Sequence, residues 1–285
     1  MIVVTGATGQ LGQLVISQLL ARGVPPAAIV AAVRKPAKAS ALAAQGITVR
    51  EADYTRPDTL GPAFAGAERV LLISSSEVGQ RLPQHRAVID AARAAGVAQL
   101  VYTSILRADS SPLGLAQEHR ETEALIAASG LPHALLRNGW YTENYLASVP
   151  AARQHGVFIG AAGEGRIASA TRADYAAAAA AVLTQPIAAK RVLELAGDTA
   201  YTLSELVVEL NRQTGASVRY QDLPQKDFAA ALEGAGLPPA FAGLLADSDA
   251  GAAQGALFDG SGTLGALIGR PTTPLAEALQ QALAV

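Results

Sequence analysis

Thr5-Gly6-Ala7-Thr8-Gly9-Gln10-Leu11-Gly12 follows the apolar run Ile2-Val3-Val4 and leads into an amphipathic stretch from Leu14 to Leu20. A short strand, a glycine-rich turn and a helix start, in that order, form the cradle that a dinucleotide pyrophosphate requires. Gly6 is predicted to let the chain turn sharply, Gly9 to let backbone approach the phosphates, and Gly12 to let the helix pack against the strand. The anion would rest on the free N–H groups and positive end of that helix. The glycines are spaced G-x-x-G-x-x-G, not in the commoner G-x-G-x-x-G pattern.

Working outward, short β-branched runs at 2–5, 29–33, 48–51, 70–73, 100–103 and 134–137 alternate with helical patterns near 10–22, 37–45, 57–65, 83–95 and 113–128. That alternation predicts an α/β fold, a doubly wound parallel Rossmann sheet. Ser111-Pro112 and Arg56-Pro57-Asp58 read as helix starts, and Gly96 and Gly130 as helix stops. After residue 138 only short strand candidates remain (157–159, 192–195 and 218–220), set among alanine-rich helices. The expected division is a nucleotide-binding domain at 1–150 and a smaller, mostly helical substrate-side domain at 151–285, part of it returning to the sheet edge. Within the latter, 245–265 shows no clear period.

Composition narrows the function. Half of the 285 residues are apolar and 16% are charged, enough for a sizeable core. A net charge of −2 makes no electrostatic case for nucleic acid or an anionic membrane. The absence of cysteine excludes disulfides and thiolate sites, and the four histidines lack metal-ligand spacing. No basic leader precedes the first strand, and the alanine-rich run from Tyr175 is bounded by charges, so a cytoplasmic protein without a membrane span is expected.

In doubly wound sheets the ligand lies beyond the carboxyl ends of the strands. Strand two runs into Arg34-Lys35, with Lys38 one turn on, where a basic residue suits the 2′-phosphate of NADPH better than the bare ribose hydroxyl of NAD. The alternative is a merely solvated loop. Strand three ends in Asp53-Tyr54, and Asp53 suits either the adenine amine or a helix cap. Ser74-Ser75-Ser76 follows strand four, where small residues let backbone approach the ribose. Asn138-Gly139-Trp140-Tyr141 follows strand six and could cradle a nicotinamide and stack an aromatic substrate. Its alternative is a tryptophan packed between domains.

One absence is informative. Typical short-chain dehydrogenases protonate their carbonyl substrate through a Tyr-x-x-x-Lys pair. The tyrosines of this chain are followed four positions later by Asp58, Leu106, Tyr145, Val149, Ala179, Glu205 and Pro224, never by lysine. Leu115 and His119 stand where that pair is expected, and Ser104 is the surviving polar member of the usual set. An enzyme here must transfer hydride without that proton donor. Quinones meet the condition, because the hydroquinonate is stable enough to take its proton from water. His119 could shuttle a proton, but with Glu118, Glu121 and Glu123 around it the favoured reading is part of a helix-surface ion pair on a solvated face.

The chain resembles the NADPH-dependent quinone oxidoreductases of the NmrA-like branch of the atypical short-chain dehydrogenases, the bacterial type-2 quinone reductases in particular. Besides the glycine turn, the resemblance rests on the stretches 74–81 (Ser-Ser-Ser-Glu-Val-Gly-Gln-Arg), 135–141 (Leu-Leu-Arg-Asn-Gly-Trp-Tyr) and 158–163 (Phe-Ile-Gly-Ala-Ala-Gly). It implies a Rossmann domain with a small C-terminal domain, NADPH in the cleft between them, and direct hydride transfer to a small quinone. Carried onto this chain, cofactor contacts fall at Gly6, Ala7, Thr8, Gly9, Gln10, Leu11, Gly12, Arg34, Ser74, Ser75, Ser76, Asn138, Gly139, Trp140, Tyr141, Thr142 and Glu143. Substrate contacts fall at Trp140, Tyr141 and Asn144, with no catalytic side chain and no metal. Two other readings compete: a non-catalytic NADP(H)-binding redox sensor of the NmrA type, and a reductase of triphenylmethane-type dyes.

Overall fold

The alternating pattern resolves into elements in a computed structural model that describes residues 1–284. In chain order come β1 (Ile2–Thr5), α1 (Gln10–Ala21), β2 (Ile29–Val33), α2 (Ser40–Ala43), β3 (Thr48–Glu51), α3 (Leu60–Phe64), β4 (Arg69–Leu72), α4 (Arg81–Ala94), β5 (Gln99–Ile105), α5 (Ala116–Ala128) and β6 (His133–Asn138). Next are α6 (Thr142–Leu146), α7 (Val149–His155), β7 (Val157–Gly160), α8 (Arg172–Thr184), β8 (Lys190–Leu195), α9 (Leu203–Thr214) and β9 (Arg219–Asp222). The chain ends in α10 (Gln225–Gly234), α11 (Pro239–Ala253), α12 (Thr263–Ile268) and α13 (Leu275–Leu283).

Seven strands form one sheet in the order β3-β2-β1-β4-β5-β6-β8. Each neighbouring pair from β3 through β6 is parallel. The doubly wound Rossmann sheet expected from the sequence is therefore the fold. Winding reverses between β1 and β4, and such a switch point opens a crevice beyond the strand ends. β2, β5 and β6 are buried along their whole length, as strands covered on both faces must be. The return to the sheet edge is β8, a partly exposed strand.

Two compact units share the chain. The first comprises 1–108, 117–138 and 172–193, and the second 109–116, 139–171 and the residues from 194 on. The sequence suggests one cut at 150; the units interleave because α8 packs along α1 within the first. Alanine makes that close packing possible: residues 174–183 of α8 are all buried. The far end of α8 is held by Arg69, whose guanidinium donates to Leu183 O at 2.7 Å and Gln185 O at 2.6 Å. The second unit is mostly helical, with β7 and β9 paired in a small parallel sheet. There α9 begins with a capping box in which Thr202 and Glu205 bond each other's backbone N–H. The stretch 245–265, which shows no period in the sequence, contains the end of α11 and the start of α12.

Gly96 and Gly130 stop their helices in the left-handed conformation, at φ +66° and +75°. Ser111-Pro112 does not start one. That helix begins at Ala116, and Ser111 Oγ accepts the Leu113 N–H at 3.4 Å in a local turn. Among the described residues no helix is long and apolar enough to cross a membrane. None of their His, Asp and Glu side chains form a group that could hold a metal ion.

Candidate functional site

β1 leads straight into Gly6, whose φ of +58° disfavours any side chain. A Cβ on Gly12 would collide with Gly6 O and with Ala7 Cα at 2.8 Å, so only glycine lets α1 lean onto the turn. Gly9 caps α1 without a side-chain hydrogen bond, and no acidic residue stands in its first turn. The positive end of the helix is thus left for an anion. The turn forms the floor of a cleft of about 800 Å³ in the first unit. Gly6, Thr8, Gly9, Gln10, Leu11, Gly12, Arg34, Ser74, Ser75 and Ser76 all line it, whereas Ala7 is buried beneath.

The cleft also gathers side chains that sequence reasoning gave no role. Glu77 follows the serines and accepts from Arg34 Nη1 at 2.9 Å, while its other oxygen accepts from Gln84 Nε2 at 2.7 Å. Tyr54, under the rim, donates to Ile73 O at 3.0 Å and bonds Thr5 Oγ1 at 2.5 Å, tying β1 to the end of β4. Burial pushes its phenol up, so it is no acid near neutral pH. Asp53 lines the cleft without capping a helix. Its carboxylate accepts from Thr55 N at 2.9 Å and Thr55 Oγ1 at 2.8 Å, as in an Asx-turn. Burial, the largest influence, opposes its ionisation, yet the Thr55 bonds and the charges of Arg34 and Arg56 hold the carboxyl below its ordinary value.

Behind the serines lies a closed polar layer. Ser75 N–H donates to His85 Nε2 at 2.9 Å. A backbone N–H can only donate, so the proton of neutral His85 sits on Nδ1, which faces Thr122 Oγ1 at 3.0 Å. His119 is not part of a surface ion pair. It is 4% exposed, with Nδ1 at 2.7 Å from the Tyr102 hydroxyl and Nε2 at 3.5 Å from Arg81 Nη1. Burial, then the nearby Arg81 charge, pushes both His85 and His119 down to about 3. Nor is 118–123 a solvated face throughout: Arg120 is exposed, but Glu118 and Glu123 turn inward. Glu118 accepts from Gly79 N at 3.0 Å, and Glu123 is gripped by Arg137 at 3.0 and 2.7 Å. Ser104, the remnant of the usual catalytic set, donates to Glu123 at 2.6 Å. These charges fold inward because arginines arrive to meet them.

At the end of β6, Asn138 keeps Oδ1 buried with no hydrogen-bond partner among the described residues, an orphan that a ligand's donor would relieve. The residues after it belong to the second unit. There Gly139 N donates to Leu195 O at 2.7 Å, and Trp140, 8% exposed, lies with its ring 6.3 Å from Tyr145. Asn144 N bonds Tyr141 O at 3.0 Å, and Thr142 Oγ1 meets Ser169 Oγ at 2.8 Å. Tyr145 donates to Asp249 at 2.9 Å. Burial raises the Asp249 carboxyl to about 6. No local pattern marks a role for Asp249, Glu77 or Gln84, because each acquires its partners only through the fold.

The glycine turn, the free helix end and the nearby cations Arg34, Lys35 and Lys38 fit a phosphorylated dinucleotide. Comparison with known proteins agrees. The family described as NAD(P)H-binding matches residues 6–186. Quinone oxidoreductase 2 of Escherichia coli (strain K12) is 63% identical over 98% of this chain and 97% of its own. The crystal structure of an NADPH-dependent quinone oxidoreductase from Escherichia coli, complexed with NADPH, matches with a TM-score of 0.96 and 62% identity, covering 99% of this chain and 100% of that one. Citrobacter sp. triphenylmethane reductase complexed with NADP(H) matches with a TM-score of 0.94 and 38% identity, over 99% and 100% of the two chains. The chain therefore belongs to the NAD(P)H-binding family and groups there with quinone oxidoreductase 2.

Proposed function

We propose that this chain is an NADPH-dependent quinone oxidoreductase that passes hydride directly to its acceptor, without a tyrosine–lysine proton donor. One observation carries the reading. The cleft over the glycine turn gathers Arg34, Lys35 and Lys38, while His119, where a donor is expected, is a buried imidazole turned onto Tyr102. The resemblance to quinone oxidoreductase 2 supports it.

When bound, NADPH supplies the hydride. In this reading Gly6, Ala7, Thr8, Gly9, Gln10, Leu11 and Gly12 present backbone and the helix end to the pyrophosphate. Arg34 forms charge-assisted bonds to the 2′-phosphate. Ser74, Ser75 and Ser76 let the chain approach the ribose, and Asn138, Gly139, Trp140, Tyr141, Thr142 and Glu143 hold the nicotinamide side. Trp140, Tyr141 and Asn144 meet the quinone. No side chain protonates the product, which as an aromatic hydroquinonate takes its proton from water. The proposal includes the sequence division into a nucleotide-binding part, 1–150, and a substrate-side part, 151–285, save that 172–193 pack within the first unit, and a cytoplasmic location that cell fractionation would check.

The test is steady-state NADPH oxidation with a small benzoquinone. Turnover is expected; tight NADPH binding without turnover would sink the reading in favour of a sensor. A triphenylmethane-type dye is the second acceptor class, favoured by the likeness to the Citrobacter enzyme. Ranking acceptors by kcat/KM separates the two, and a dye above every quinone would displace the first reading.

A further inference from the structure

We infer that Glu77 is a cofactor-specificity residue: its carboxylate clasps Arg34 across the glycine turn, and a 2′-phosphate opens the clasp by taking its place. The inference rests on the assignment of Arg34 to the 2′-phosphate.

Topology sets the span. β2 and β4 flank β1, and strands lie about 4.8 Å apart, so their ends stand roughly 10 Å apart on either side of β1. Arg34 follows β2 and Glu77 follows β4. Their 2.9 Å ion pair therefore spans the end of β1, and both residues line the cleft together with the glycine turn.

The carboxylate is presented by a braced loop, not a loose one. Ser74 N bonds Thr103 Oγ1 at 2.9 Å, and Ser75 N bonds His85 Nε2 at 2.9 Å. Ser75 O accepts from Arg81 Nε at 2.5 Å, and Glu77 N bonds Ser75 Oγ at 3.1 Å. Gln84, 5% exposed, fixes the second carboxylate oxygen from α4.

Strength decides the exchange. The Arg34 and Glu77 side chains are 66% and 43% exposed, and such pairs are weak. A phosphate offers the guanidinium a stronger, bidentate partner. Gln84 keeps its bond to Glu77 when Arg34 leaves, so the carboxylate is not stranded. A cofactor without the phosphate gives Arg34 nothing in return, and the clasp stays shut. The clasp thus weakens binding of a 2′-phosphorylated cofactor alone and tempers the selectivity that Arg34 confers.

Calorimetric binding of NADPH, NADH and adenosine 2′,5′-bisphosphate to the wild type, Glu77→Gln, Arg34→Ala and the double variant tests this, with thermal melts confirming that each folds. Glu77→Gln is expected to bind both 2′-phosphorylated ligands about two- to fivefold tighter, the worth of an exposed ion pair, with NADH unchanged. In the Arg34→Ala background that gain should vanish. An equal or weaker affinity of Glu77→Gln for NADPH, or a gain that persists without Arg34, overturns the clasp while leaving Arg34 as phosphate ligand if Arg34→Ala still loses NADPH selectively. Equal losses of NADPH and NADH in Arg34→Ala overturn the assignment and the clasp together.

Discussion

The cleft over β1 and the layer behind it meet at Ser75 and treat polar groups in opposite ways. In the cleft, Arg34 keeps two thirds of its side chain in solvent and the first turn of α1 carries no acidic residue. Behind it, His85 and His119 are almost fully buried, and each ring nitrogen faces a polar neighbour. The first arrangement can exchange partners with a ligand; the second is committed to the fold. A histidine's presence near a Rossmann cleft therefore says little about proton transfer until its partners are known.

The largest effect should come from breaking the committed layer. Glu123 and Arg137 form a bidentate pair with both side chains about nine-tenths buried, and Glu123 also accepts from Ser104. Glu123→Ala takes the carboxylate away from a buried guanidinium, and about 3–5 kcal/mol of folding stability should be lost. Urea unfolding measures it, and a loss below about 1 kcal/mol would mean that the layer is wetter than it looks. In the exchangeable region, Arg34→Ala should leave folding nearly intact and remove roughly 1.5–3 kcal/mol of NADPH binding, with little change for NADH.

The two regions were unequally legible. β1, β2 and β3 have the bounds that the sequence suggests, 2–5, 29–33 and 48–51, because Gly6, Arg34 and Asp53 stand at or just beyond their carboxyl ends. The cleft was readable for the same local reason: its glycines, Arg34 and the serines each follow a strand end. The buried layer was not. His119 sits among Glu118, Glu121 and Glu123, a pattern that reads as surface until Arg81 and Arg137, 38 residues before it and 14 residues after Glu123, come to neutralise the acids. Gln84 carries no local signal at all, since its role depends on a loop seven residues earlier folding back to it. Local spacing encodes elements and turns, whereas neutralisation of charge is a property of the assembled core.

A third effect is pH-dependent. His119 is held at about 3 when folded, against 6.5 for an ordinary histidine. A depressed histidine contributes stability that is complete above about 6.5 and lost as pH falls toward about 3, because only the unfolded chain takes up the proton. His85 acts in the same direction over the same range. Asp249, raised from 3.8 to about 6, acts in the opposite direction between those values. Over that stretch two histidines outweigh one carboxyl, so these three groups together lower stability as the solution is acidified. Glutamine at 119 does not titrate. The stability gap between the wild type and His119→Gln should therefore shrink by about 1.4 kcal/mol per pH unit below pH 6. A gap independent of pH would show His119 to be exposed or already charged.

The smallest expected effect is the sharpest test of the comparison. His119→Gln should change kcat by less than about threefold between pH 6 and 8, against the 10²–10⁴-fold that a working general acid contributes. Two features set that expectation. The imidazole is neutral throughout the range, and both of its nitrogens point at Tyr102 and Arg81, not into the cleft. Tyr102 cannot substitute, since burial drives its phenol far above the ordinary value. Glutamine keeps a donor and an acceptor for the same neighbours, so the variant separates proton transfer from packing. A hundredfold loss of kcat with NADPH affinity and melting temperature unchanged would move His119 from the committed layer into the chemistry.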